Sequence, residues 1–151
     1  MKRILFILTC LFGSISVFSQ SSDIVYDSTL AKSLGADELG MKSYVFVVLK
    51  TGNVKINDKA VLDSIFKGHF QNMNSLADSG YLVLAGPYGK NELQYRGLFI
   101  LNTESIEQAK VWIERDPTVN SKFFDVDYIP WYGTAALSAL LPIHRSISKQ
   151  K

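Results

Sequence analysis

The sequence predicts an α+β domain of the ferredoxin-like, split βαβ kind. Elements follow one another as strand, helix, strand, strand, helix, strand. Two stretches keep apolar residues at spacings of three and four, and a glycine-proline turn joins two strand-like runs in the middle. The arrangement implied is a four-stranded antiparallel sheet with both helices on one face.

Each element has a local reason. In a lead-in over residues 20–41, Asp27 is placed to cap a short helix through Leu30, Ala31 and Leu34 that stops at Gly35. Gly40 then releases the chain into the first strand. Tyr44 to Leu49 is continuously apolar and valine-rich, as a covered central strand is, and Lys50-Thr51-Gly52-Asn53 ends it. Asn57 or Asp58 can cap the longest helical pattern, and Gly80 sits where its C-terminal cap belongs. Between them Leu62, Ile65, Phe66, Met73, Leu76 and Ala77 form one apolar face. His69 lies on that face, four residues after Ile65 and four before Met73, so its ring should point at the sheet.

Strands over Tyr81 to Ala85 and Tyr95 to Leu101 are joined by a loop opening with Gly86-Pro87-Tyr88-Gly89, a shaped turn rather than a loose connection. Thr103 is the expected cap of a second helix carrying Ile106, Ala109, Lys110 and Ile113, with Glu107 favourable to its dipole. Asp116-Pro117 ends that helix and starts another turn, with Asp116 as cap. Phe124 to Tyr132 alternates Val126 and Tyr128 with Asp125 and Asp127, a last strand with one exposed face. One face of the sheet would be left bare, which predicts a homodimer. Leu137, Leu140 and Leu141 in the segment 135–143 could add an arm to that contact, with Pro142 limiting any helix, and Trp131 and Tyr132 read as dimer or core contacts.

Composition bounds the rest. A chain of 151 residues with 47% hydrophobic content fits one domain. Lys2 and Arg3, the apolar run Ile4 to Phe12 and the small residues before Gln20 read as a signal peptide over residues 1–19, cleaved after Ser19, which implies a periplasmic or secreted protein. Gly13, Ser14 and Ser16 break the apolar run short of the roughly 20 residues of a spanning helix, so stable membrane insertion after signal removal is not expected. Thr9 before Cys10 and the apolar run continuing past it argue against a lipid-modified cysteine.

Lys2 and Arg3 also account for the whole surplus of 16 basic over 14 acidic residues, leaving the mature chain formally neutral. Without a basic patch, nucleic acid is not an expected partner. Cys10 is the chain's one cysteine, so the mature protein would hold no disulfide and no thiolate. The two histidines, His69 and His144, are far apart, which argues against a metal site, and no phosphate loop, serine elbow or dinucleotide fingerprint is present. No cofactor is expected.

The candidate chemistry centres on His69 and Asp116. Burial favours a neutral imidazole, while a nearby carboxylate favours the charged one and selects the tautomer; that balance makes a general base. Asp116 uses at most one oxygen as a cap, so the other could reach the ring. The plain alternatives are a core histidine bonded to backbone and an aspartate that only caps. Arg96 could anchor an anion or be a solvated strand residue. The Gly86, Pro87, Tyr88 turn could present N–H groups to a carboxylate or simply close a hairpin. His144 reads as exposed and idle.

The His69 helix, Gly80-Tyr81-Leu82, Ala85-Gly86-Pro87, Arg96-Gly97-Leu98-Phe99-Ile100, Ala109, Asp116-Pro117 and Ile129-Pro130-Trp131 together resemble the YCII-related (YciI-like) family, over Lys42 to Tyr132. The resemblance implies a dimeric α+β barrel, a histidine-aspartate pair at His69 and Asp116, and lyase- or dehalogenase-like chemistry on a small organic substrate. The signal peptide, the lead-in and the extension over residues 133–151 depart from the family. Two functions stay open: a cofactor-free enzyme of the lyase, isomerase or dehalogenase type, and a non-catalytic dimeric periplasmic binding or structural module.

Overall fold

A computed structural model describes residues 25–149. The expected signal peptide, its cleavage point after Ser19 and Cys10 lie outside the described residues, as do Gln150 and Lys151. The elements are α1 (Ser28–Leu34), β1 (Met41–Thr51), α2 (Lys59–Asp78), β2 (Leu82–Pro87), β3 (Tyr95–Leu101), α3 (Ile106–Ile113), α4 (Pro117–Asn120), β4 (Phe124–Thr134), a 3-10 turn over Ala135–Ala139, and α5 (Leu140–Ile147). The strands form one antiparallel sheet in the order β2-β3-β1-β4, the ferredoxin-like arrangement.

Alternation along the strands sorts the two faces. Val45, Val47 and Leu49 of β1 join Phe99 and Leu101 of β3 in the main core, which also takes Leu76 from α2 and Ala109, Trp112 and Ile113 from α3. On the opposite face Lys50 bonds Asp127 at 2.7 Å and lies 3.8 Å from Asp125, so the alternating acids of β4 are matched by a cation. The helix ends are set locally: Asp27 caps α1 and Asp58 caps α2 through their side chains, while Gly35 and Gly80 adopt positive φ just past the helices.

Several expectations need correction. Ser105, not Thr103, caps α3, accepting from Gln108 N at 3.1 Å; Thr103 instead accepts from Ser105 N. Lys110 is exposed and Trp112 takes the buried place, stacked on Tyr81 at 4.3 Å. Gly86 and Pro87 are not loop but the end of β2, paired with Leu98 and Gly97. The hairpin turn is set by the positive φ of Gln94 and by Asn91, whose side chain bonds Gly89 and Tyr95 backbone. Pro142 does not prevent a helix: it is the third residue of α5, in the first turn, where an N–H has no helical partner.

The second sheet face is not wholly bare either. Tyr44, Val83 and Ile100 are buried there, with Leu137 of the 3-10 turn packed against them. The apolar residues of the C-terminal segment thus cover part of the sheet within the same chain. Trp131 and Tyr132 are not core residues, being 36% and 49% exposed. Trp131 lies over Gly133 and 5.7 Å from Tyr44, and the Tyr132 hydroxyl donates to Asp37.

Candidate functional site

The helical face anticipated for α2 turns His69 inward, leaving 10% of its side chain exposed. The ring is surrounded by phenylalanines, with Phe66, Phe70, Phe99 and Phe124 at centroid distances of 6.1, 5.4, 6.0 and 6.1 Å. No backbone group bonds it among the described residues. Its polar partner is Asp116, brought in from 47 positions away: Nδ1 of His69 lies 2.5 Å from Oδ2 of Asp116.

Asp116 is placed by its own turn. Pro117 has no N–H to lose at the first helical position of α4, and Oδ1 of Asp116 accepts from Thr118 N at 2.9 Å. The Thr118 hydroxyl donates to the same oxygen at 2.7 Å. Oδ2 is left for the ring. Asp116 is 1% exposed and Thr118 fully buried, so water does not compete for these bonds. α2 and α4 can approach this closely because residue 68 is glycine; an added Cβ would meet Pro117 Cγ at 2.6 Å.

The geometry assigns the protons. An ionised carboxylate only accepts, so Nδ1 of His69 carries the hydrogen and donates it, which leaves Nε2 with a lone pair in the neutral ring. Nε2 has no hydrogen-bond partner among the described residues. Ala85 and Pro87 pair with Phe99 and Gly97, share the helix-facing side of the sheet, and are exposed.

The other expected site residues form a separate group at the tip of the β2-β3 hairpin. Tyr88 N donates to Arg96 O at 2.9 Å, and Nε of Arg96 donates to Thr51 Oγ1 at 2.6 Å. The N–H of Tyr88 is therefore already used, and Gly86 is paired in the sheet. No hydrogen bond joins Gly86, Pro87, Tyr88 or Arg96 to His69 or Asp116 among the described residues. His144 is exposed on α5. A larger hollow of about 1010 Å³ lies between α2, β2 and α5, lined by Met73, Ala77, Leu82, Leu84, Leu141 and Ile143 among others, and His69 does not line it. Among the described residues no group of three or more His, Cys, Asp or Glu could hold a metal ion, and no helix is long and apolar enough to cross a membrane.

Sequence reading missed Thr118 and, as site residues, Phe66, Phe70, Phe99 and Phe124. Thr118 had a signal: the run Asp116-Pro117-Thr118 places a hydroxyl two residues after a capping carboxylate. The phenylalanines had none beyond apolar character.

No protein-family model matches the chain, and no curated protein matches it. Among solved structures the chain is similar to 5-chloro-2-hydroxyhydroquinone dehydrochlorinase (TftG) from Burkholderia phenoliruptrix AC1100, in complex with 2,5-dihydroxybenzoquinone. The identity is 16% and the TM-score 0.42, over 58% of this chain and 92% of that one. A likeness at that level decides nothing about the chemistry of this chain.

Proposed function

We propose that the chain is an exported, YCII-related, cofactor-free enzyme in which His69 moves a proton to or from a small organic substrate while Asp116 orients its ring. The observation that carries this reading is the bond between Nδ1 of His69 and Oδ2 of Asp116, with no hydrogen-bond partner on Nε2 among the described residues. A structural histidine satisfied on both nitrogens would have no such atom to offer. The phenylalanines around the ring suit an apolar or aromatic portion of the substrate. In an elimination, Nε2 takes a proton from carbon, the C–H electron pair becomes the new double bond, and the leaving group departs as an anion; the imidazolium then returns the proton to solvent. Isomerisation uses the same nitrogen to remove a proton and deliver it at another carbon. In the same proposal a second copy docks on the exposed part of β4, where Ile129 and Trp131 lie.

The test works without the natural substrate in hand. The mature protein, from Gln20 onward, is incubated in D₂O with a panel of small organic acids and aromatic compounds, and deuterium incorporation at carbon is followed by NMR. Incorporation by the native protein that His69→Gln abolishes, with the variant folded, is the expected result. Ligand binding without exchange would instead favour the non-catalytic binding module, and exchange undiminished in His69→Gln would remove His69 from the chemistry.

A further inference from the structure

We propose that Thr118 is the positioning residue of the pair: its backbone N–H and its hydroxyl hold Oδ1 of Asp116 so that Oδ2 is presented to Nδ1 of His69. The proposal rests on the functional reading above for its importance, but not for its test.

A capping aspartate is satisfied by backbone donors, and here the N–H of Thr118 at 2.9 Å already fills that role. The hydroxyl adds a second bond to the same oxygen at 2.7 Å, from a fully buried residue. A carboxylate held by one donor can turn about its Cβ–Cγ bond. One held on Oδ1 by two donors from the same residue cannot turn without breaking both. Among the described residues no lysine or arginine pairs with Asp116, so the carboxylate is held by the His69 ring and by Thr118.

The hydroxyl also bears on the tautomer. Thr118 Oγ1 lies 3.5 Å from Nδ1 of His69 and 2.7 Å from Oδ1 of Asp116, so its single hydrogen belongs to the shorter contact. What the hydroxyl turns toward Nδ1 is lone-pair density. Nδ1 therefore faces two oxygens, Oδ2 and Oγ1, both acting as acceptors. A ring with its lone pair on Nδ1 would set three acceptors against one another in a buried space. The pair thus becomes a triad in which Thr118 sets the carboxylate, the carboxylate sets the ring, and the lone pair is kept on Nε2.

Thr118→Val keeps the shape and the backbone N–H and removes the hydroxyl; Thr118→Ser keeps the hydroxyl. The readout is the ¹⁵N NMR spectrum of the His69 ring, with His144→Gln in all samples to leave one histidine. The native protein is expected to show the Nδ1–H tautomer as the dominant neutral form, Thr118→Val a mixture of tautomers, and Thr118→Ser the native pattern. If a substrate is in hand, Thr118→Val lowers kcat roughly ten- to a hundredfold, the scale of a hydrogen bond to a charged group, with KM little changed. A Thr118→Val ring with the native tautomer population overturns the proposal. Should that variant not fold, the native protein still decides: a hydroxyl donated to a buried carboxylate gives a slowly exchanging proton resonance on Thr118, and rapid exchange overturns the proposal. The tautomer requires no turnover, so Thr118 can fail here while His69 remains a base, and the reverse.

Discussion

Gly68 lies against Pro117, and a Cβ at position 68 would sit 2.6 Å from the proline Cγ. The contact joins α2 to α4 one residue before His69 and one residue after Asp116. A glycine inside a helix costs about 1 kcal/mol relative to alanine. Here that cost permits the two backbones to approach closely enough for an imidazole and a short carboxylate to meet.

Gly68→Ala therefore sets two effects against each other. Helix propensity gains about 1 kcal/mol, while an overlap in this half-buried contact costs about 1–3 kcal/mol. The overlap is expected to outweigh that gain, lowering stability by up to about 2 kcal/mol and pushing α4 outward. Chemical denaturation measures the first, and loss of the dominant Nδ1–H tautomer of His69 measures the second. A variant more stable than native with an unchanged ring spectrum would show that α4 moves aside freely.

Asp116 is buried, and its carboxylate accepts from three donors: the His69 ring, the Thr118 N–H and the Thr118 hydroxyl. Replacement by alanine removes a cap and strands the Thr118 hydroxyl and the His69 N–H, for a loss of about 2–4 kcal/mol. Asparagine keeps one acceptor and is expected to lose only about 1–2 kcal/mol. Urea unfolding with unchanged slope is the measurement. Equal costs for the two would mean that the cap and the ring bond contribute little, and that the site is held by packing alone.

Much of this arrangement is legible in the order of the amino acids, for reasons that differ by residue. Asp27, Asp58, Asp116 and Gly80 act within a turn of where they stand, so chain order suffices to place them. The ring of His69 is turned inward by helical periodicity, again local. Thr103 and Ser105 are both good caps two residues apart before the same apolar run, and only the packing of Trp112 and Ile113 chooses between them. Gly86 and Pro87 read as a shaped turn because proline fixes one backbone angle and glycine permits positive ones, yet β2 is an edge strand, where a proline's missing N–H can face outward at no cost. The aromatic surround of His69 draws on α2, β3 and β4 together, and no local rule assembles residues from three elements.

Tyr128 gives the fold an alkaline limit. Burial, and then the negative charge of Glu114, push its phenol up from the ordinary value of 10 to about 12. Between those values the unfolded chain has released the proton and the native chain holds it. The native state binds more protons there, so stability falls as pH rises. The contribution of Tyr128 is intact below about pH 10 and is lost as the pH climbs through about 12. Tyr128→Phe should flatten that part of the stability profile, and absorbance titration should show one late-ionising tyrosine fewer than in the native protein, where burial also raises Tyr44 and the bond to Asp37 raises Tyr132. An unchanged number of late-ionising tyrosines in Tyr128→Phe would assign the effect elsewhere.

The C-terminal segment does for the second sheet face what α2 and α3 do for the first, on a smaller scale. Leu137 packs on Tyr44, Val83 and Ile100, and the Tyr44 hydroxyl donates to Thr134 O at 3.0 Å. α5 runs beside β2 and its Arg145 pairs with Asp78 of α2. That pair is exposed, so salt should weaken it and its share of stability is small. Leu137 carries more, and Leu137→Ala is expected to cost about 1–2 kcal/mol, less than a fully buried leucine because its site is only partly covered. Ending the chain after Thr134 uncovers Tyr44, Val83 and Ile100 together with the edge of β2, a surface that invites pairing with another chain. The truncated protein is expected to be less stable and to associate as its concentration rises, with sedimentation velocity as the measurement. A truncated chain as stable as the native one, with concentration-independent sedimentation, would show that the segment rests on the sheet without protecting it.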